Sequence, residues 1–234
     1  VQQAEKLKEY YRAYDKVICV SENVRDSFLN MMGCDADAIV LYNVIDEVEI
    51  LTKAEAFAVD RTDAVNIVAE GRLTNQKGFD RLIEACALLK RDSCLFSLKI
   101  LGEGPERNKL ESLIVQYGLV QYVELMGFQE NPYPYIAAAD LYVQPSRFEG
   151  YPLSILEALI LGKPVVSTDN GGAGEILQPE VTGLLCPISS EGIAETIERL
   201  LSHPETLEQL RKNVRSRDPD EENRAAIRQL EEYL

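Results

Sequence analysis

The chain has 234 residues, 46% hydrophobic and 27% charged, a globular balance long enough for one large domain or two small ones. Its formal net charge of -15, from 39 acidic and 24 basic residues, disfavours a nucleic-acid binder, which carries a basic footprint. Apolar runs are broken by Glu, Lys or Pro before they reach bilayer-crossing length.

The opening Val1-Gln2-Gln3-Ala4-Glu5-Lys6 has no signal-peptide pattern and reads as the interior of a helix. It predicts a chain that begins inside a longer protein. β-rich runs then recur at 16–20, 39–42, 64–69, 96–101, 122–126, 141–144, 164–167 and 183–186. Amphipathic stretches separate them, with helical spacing at Leu82, Ile83, Cys86 and Leu89, and again at Leu110, Leu113 and Ile114. Helices are expected over 191–201, 205–214 and 221–234. The acidic run Asp218-Pro219-Asp220-Glu221-Glu222 suits a solvated helix start.

This alternation predicts an α/β fold, a Rossmann-like doubly wound parallel sheet. From Ala64 onward the strands are nearly all apolar, as in a sheet covered on both faces. Residues 1–43 read as the end of a preceding domain plus linker, 51–63 as a short mixed connector, and 44–234 as one domain. The five cysteines, Cys19, Cys34, Cys86, Cys94 and Cys186, form no Cys-x-x-Cys pair. Cys19, Cys86 and Cys186 lie in apolar runs, as small core residues do. An odd, scattered set points to a reducing cytoplasm.

Four segments follow strands, where open α/β sheets bind ligands. The first is Gly71-Arg72-Leu73-Thr74-Asn75-Gln76-Lys77-Gly78. Gly71 permits close backbone approach, and Arg72 and Lys77 supply cations suited to a diphosphate. A polar loop with two solvated cations fits equally well. The second is Gly102-Glu103-Gly104-Pro105, a tight turn with Pro105 at the expected first helical position. A dinucleotide fingerprint needs a third glycine where Arg107 stands, so that pattern fails.

The third segment is the most specific: Phe148-Glu149-Gly150-Tyr151-Pro152-Leu153-Ser154-Ile155-Leu156-Glu157-Ala158. Pro152 suits the first turn of a helix running to about Leu161, which leaves the amides of Leu153 and Ser154 free for an anion. Glu157, a turn further on, can accept hydrogen bonds from vicinal hydroxyls, and Glu149 can reach a ligand from the loop. Two glutamates also suit a glycosidase, but a helix start with two nearby cations implies a phosphate, which a glycosidase does not need. The fourth segment, Asn170-Gly171-Gly172-Ala173-Gly174-Glu175, reads as mainly structural, shaping the sugar pocket. Asp35-Ala36-Asp37 matches a metal-holding Asp-x-Asp pattern but reads as turn chemistry. His203, the single histidine, stands between two helices far from every motif.

Together the motifs resemble family 4 of the retaining glycosyltransferases, whose B-type fold has two Rossmann-like domains. The matching stretches are GRLTNQKG, ILGEGP, VELMGF, ADLYVQPSRFEGYPLSILEALILGKPVVST, GGAGEIL and TGLL, in the family's order. The segments Tyr14–Ser21 and Val40–Asp46 resemble the family's crossover into its second domain.

The resemblance implies the C-terminal, donor-binding half of a two-domain hexosyltransferase. Arg72 and Lys77 hold the diphosphate of a nucleotide sugar and stabilise it as it leaves, helped by the backbone of Leu153 and Ser154. Glu157 holds the ribose hydroxyls, Glu149 contacts the sugar ring, and Met126, Gly127 and Phe128 lie beside the base. Gly71, Gly150, Tyr151 and Pro152 complete the site. No metal or other cofactor is expected, and catalysis is electrostatic.

Further expectations come from the family's usual setting. UDP is the nucleotide expected on family frequency, and a glycan or lipid-linked acceptor would be bound by the absent N-terminal domain. The setting implied is polysaccharide or cell-envelope synthesis, in the cytoplasm or at the inner membrane face, with peripheral attachment of the full-length protein. The isolated half is expected to bind donor without transferring sugar. A nucleotide-sugar epimerase of the same fold and a non-catalytic nucleotide-sugar-binding module are the alternatives.

Overall fold

The computed structural model describes residues 8–11, 13–32, 37–217, 224, 226–228 and 230–231. The chain divides into two compact units: Val1–Ile45 with Asp218–Leu234, and Asp46–Arg217. The sequence placed the boundary at residue 44 and ran the domain to the chain end. The larger unit ends at Arg217, before the acidic Asp218-Pro219 run.

In the smaller unit, β1 (Val17–Cys19), α1 (Glu22–Met32) and β2 (Ala38–Val40) form a strand-helix-strand segment. The two strands pair in parallel with Ile18 opposite Ile39. Ser21 starts the helix by accepting the Val24 amide at 3.1 Å. Asp35 and Ala36 of the Asp-x-Asp pattern, Cys34 and the opening six residues lie outside the described residues. Asp37 is described, and its carboxylate pairs with Lys16 at 3.5 Å. Of the helix expected over 221–234, only residues 224, 226–228 and 230–231 are described, and all are helical.

The larger unit opens with α2 (Glu47–Ala54). Part of this helix falls where the sequence suggested only a connector. Asp46 accepts the Glu49 amide at 2.9 Å, acids occupy the first turn, and Lys53 in the last turn pairs with Glu49. Only Ile50 is buried, and the helix is just eight residues long, shorter than the window over which helical periodicity is read.

Six strands follow: β3 (Val65–Glu70), β4 (Phe96–Leu101), β5 (Val123–Gly127), β6 (Leu141–Gln144), β7 (Val165–Thr168) and β8 (Gly183–Cys186). They form one sheet in the order β5-β4-β3-β6-β7-β8, parallel throughout. Between and after them lie α3 (Phe79–Arg91), α4 (Arg107–Gln116), α5 (Tyr133–Ala138), α6 (Leu153–Ile160), α7 (Ser190–Ser202) and α8 (Pro204–Arg215). This is the expected doubly wound fold. Its strand order reverses between β3 and β6, which opens a crevice at their carboxyl ends.

The main core lies on one face of the sheet, where Ile67 and Ile100 meet Phe79 and Leu82 of α3 and Ile193 and Ile197 of α7. α5 contacts β3, and α6 contacts β6 and β7, outside that cluster. Cys19, Cys86 and Cys186 are buried as expected. No helix among the described residues is long and apolar enough to cross a membrane.

The carboxyl ends of β3, β4 and β5 are joined by a ladder of glycines. The Gly71 amide donates to the Leu101 carbonyl at 3.0 Å, and the Gly102 amide donates to the Gly127 carbonyl at 2.8 Å. Gly102 has φ 134°, and a Cβ there would lie 2.0 Å from the Gly71 carbonyl oxygen. Backbone strain and a backbone clash therefore coincide at one position. Gly102→Ala is expected to lower the unfolding free energy by about 2 kcal/mol or more, read as a reduced urea midpoint. An unchanged midpoint would mean that the strand ends are not packed this closely.

Candidate functional site

Gly71, Arg72, Gly102 and Phe128 line a cavity of about 390 Å³ at the carboxyl end of the sheet, together with Glu70, Leu101, Glu103, Gln129 and Pro132. Two glycines of the ladder, Gly71 and Gly102, expose main chain to it. Phe128 stands exposed at the rim, and Gln129 is tied back through its amide to the Met126 carbonyl at 2.9 Å. The Arg72 guanidinium lines the cavity with no hydrogen bond or ion pair among the described residues.

Beside the cavity, the loops leaving β3 and β6 are locked together. A Cβ on Gly78 would lie 2.1 Å from the Pro145 carbonyl oxygen, and the Arg147 amide donates to the Gln76 carbonyl at 2.8 Å. Arg147 also reaches Asp80 with two hydrogen bonds of 2.9 Å. Burial opposes charge on Asp80, yet the guanidinium holds its carboxyl below the ordinary value. This clamp brings Lys77 to Glu149.

Glu149 Oε1 receives three donors: Lys77 Nζ at 2.7 Å, Ser146 Oγ at 2.7 Å and Gln144 Nε2 at 3.1 Å. Its side chain is only 11% exposed, so the pair sits in weakened solvent screening. Gln144 is buried at the end of β6, and its Oε1 accepts from Tyr142 Oη at 3.1 Å and Ser154 Oγ at 3.3 Å. A continuous chain of hydrogen bonds thus runs from the start of α6 to Lys77. Pro152 caps α6 without a side-chain hydrogen bond, and the amides of Leu153 and Ser154 have no backbone acceptor among the described residues. Gly150 meets the fourth segment: a Cβ on Gly172 would lie 2.6 Å from its carbonyl oxygen, and Gly171 bridges to Glu149.

Glu157 lies one turn into α6 and accepts the Tyr133 hydroxyl at 3.1 Å. Burial raises its proton affinity, partly offset by that hydroxyl. Tyr133 is itself held neutral by burial and by the Glu157 charge. Glu70, the last residue of β3, was not singled out from the sequence. Burial, reinforced by the Glu157 charge and opposed by Lys77, pushes its carboxyl up to about 7. Its Oε2 is buried with no hydrogen-bond partner among the described residues, an arrangement that costs about 1–3 kcal/mol.

The predicted residues therefore fall into two adjoining groups. Gly71, Arg72 and Phe128 line the cavity, while Lys77, Glu149, Ser154 and their neighbours form the locked loops. Gly127 closes β5 and anchors the ladder, and Met126 contributes its carbonyl. Tyr151 precedes Pro152 at the entrance to α6. The second segment does more than turn the chain, because Gly102 and Glu103 line the cavity. Pro105 does not open the helix as expected: α4 begins at Arg107. A Cβ on Gly104 would lie 2.5 Å from the Leu73 carbonyl oxygen, so the turn is pinned by the neighbouring loop before the helix can start. His203 sits between α7 and α8, with Nδ1 3.0 Å from the Arg199 carbonyl.

Glu70 gives a pH signature. Its carboxyl binds a proton more tightly folded than unfolded, so its contribution favours the native state most at low pH. That advantage declines as pH rises from the ordinary value of 4.5 to about 7, and is flat above. The full change is about 3 kcal/mol. Glu70→Gln should therefore show a shallower fall in Tm across that window than the unmodified chain. Parallel Tm curves would contradict a buried Glu70 carboxyl.

The comparisons with known proteins agree with this architecture. The chain is 30% identical over 213 residues to the amylovoran biosynthesis glycosyltransferase AmsK of Erwinia amylovora, covering 83% of this chain and 50% of that protein. It is 31% identical over 198 residues to the lipopolysaccharide core biosynthesis glycosyltransferase LpsE of Rhizobium meliloti, covering 82% of this chain and 56% of that protein. The chain thus spans about half the length of these relatives. Among solved structures, Anabaena Alr3699/HepE in complex with UDP and glucose superposes with a TM-score of 0.80 at 22% identity, over 98% of this chain and 67% of that one. It shows that the fold is that of a B-type glycosyltransferase. The family model for glycosyl transferases group 1 matches residues 53–217, the bulk of the doubly wound unit, and the chain belongs to that family.

Proposed function

We propose that this chain binds a nucleoside-diphosphate sugar, with UDP as the carrier, as the donor half of a retaining hexosyltransferase. A glycan or lipid-linked acceptor would be held by an N-terminal domain, in polysaccharide or cell-envelope synthesis at the cytoplasmic face of the membrane. The observation that carries this reading is the hydrogen-bonded chain from Ser154 through Gln144 and Glu149 to Lys77, whose side chain packs against Gly71 beside the cavity that Arg72 lines.

The chemistry follows from where charge develops. As the bond from the sugar's anomeric carbon to the diphosphate breaks, negative charge grows on the leaving phosphate. In this reading Arg72, Lys77 and the amides of Leu153 and Ser154 receive it. Two cations beside a helix start supply this stabilisation without a metal. Glu149, fixed on three donors, faces the positive charge growing on the ring. Lys77 then serves two anions, the carboxylate and the phosphate. Glu157 offers its carboxylate to the ribose hydroxyls.

Titration by calorimetry with UDP, GDP, ADP and NAD, without added metal, is expected to show selective binding of UDP. Binding of none of them would overturn the donor assignment. Arg72→Ala and Lys77→Ala should each weaken UDP by about 1.5–3 kcal/mol, the range for hydrogen bonds to charged groups. Unchanged UDP affinity in both variants would remove the phosphate role. Glu157→Gln should weaken UDP while leaving inorganic pyrophosphate unaffected, whereas equal losses for the two ligands would exclude a ribose contact.

A further inference from the structure

Glu70 occupies the one place in a doubly wound sheet where a ligand is always within reach, the carboxyl end of a strand beside the switch point. It lines the cavity with Gly71 and Arg72, and its Oε2 is buried with no hydrogen-bond partner among the described residues. A buried acceptor left open in this way calls for a donor from outside the chain.

The surroundings decide what kind of donor. Glu70 lines the cavity with Pro132, whose chain neighbour Tyr133 donates its hydroxyl to Glu157 at 3.1 Å, and the charges of Glu70 and Glu157 act on each other and on Tyr133. One oxygen of Glu157 already accepts the Tyr133 hydroxyl, which leaves the other for a ligand. Two carboxyls whose charges act on each other repel phosphate and favour a neutral group that carries two O–H donors. A vicinal diol is such a group.

We propose that Glu70 recognises the ribose of the donor jointly with Glu157, each carboxyl taking one hydroxyl of the diol. This role rests on the donor reading given above. Glu70 is then a specificity-determining residue that sets the preference for a ribonucleotide over its deoxy forms. Because a hydroxyl both donates and accepts, it is matched by either protonation state of the Glu70 carboxyl.

The test compares the unmodified chain with Glu70→Met, which keeps length without acceptors, and Glu70→Ala. Each is titrated with UDP, 2′-deoxy-UDP, 3′-deoxy-UDP and inorganic pyrophosphate. The unmodified chain should bind UDP about tenfold or more tighter than either deoxy form, as expected for a hydrogen bond to a carboxylate. In the variants, the preference against at least one deoxy form should shrink to about threefold or less, with pyrophosphate affinity unchanged. The pyrophosphate titration shows that a variant is folded and that its phosphate site is intact. Variants that keep both preferences at full strength would overturn the proposal. So would an unmodified chain that binds UDP without discriminating against either deoxy form, and in that case the donor reading stands. An unmodified chain that binds no UDP overturns both.

Discussion

Lys77 and Glu149 stand 72 positions apart in sequence and 2.7 Å apart in space. Nothing local brings them together. Their meeting depends on the loop after β3 passing against the loop after β6 so closely that Gly78 has no room for a Cβ. The bidentate Arg147–Asp80 pair and the Arg147 amide on Gln76 hold that contact. With the loops fixed, Glu149 has its three donors, Gln144 has its two acceptor contacts, and α6 starts where its open amides adjoin both. Pre-organisation of this kind is what lets dipoles and charges act without rearranging when a ligand's charge develops.

The electrostatics are local and run against the whole. A protein with a net charge of -15 is a poor attractor of anions at long range. Beside the crevice, Arg72 has no ion-pair partner among the described residues and Lys77 is held on a carboxylate. Screening at 0.15 M ionic strength confines surface charge effects to about 8 Å, so the crevice and not the surface decides what binds. Burial moves two further carboxyls, Glu70 and Glu157, toward neutrality.

Much of this was legible in the sequence. The strand–helix alternation set the fold class, because apolar runs bounded by glycine and proline leave few alternatives to a parallel sheet. Gly71-Arg72, Lys77 and the stretch from Glu149 to Glu157 stood out because each follows a strand. What was not legible depends on tertiary contact. Gln144, Ser146 and Tyr133 are ordinary polar residues in sequence, and only packing makes them supports for Glu149 and Glu157. Glu70 did leave a signal, a charge closing the otherwise mostly apolar run Val65-Asn66-Ile67-Val68-Ala69, but it was masked by the glycine motif that begins one residue later. α2 escaped because its eight residues are fewer than the window over which helical periodicity is read.

The glycine ladder divides the cavity into a part that substitution can adjust and a part it cannot. At Gly102 the space that a side chain would need is already filled by the Gly71 carbonyl, and at Gly71 by the Lys77 side chain. A lineage altering its preferred ligand would have to work from the rim, through Glu103, Phe128 and Gln129, whose side chains border the same space. Those three positions could diversify at little expense to stability while the glycines stay constant. One scaffold could then acquire many ligand preferences by redecorating its edge.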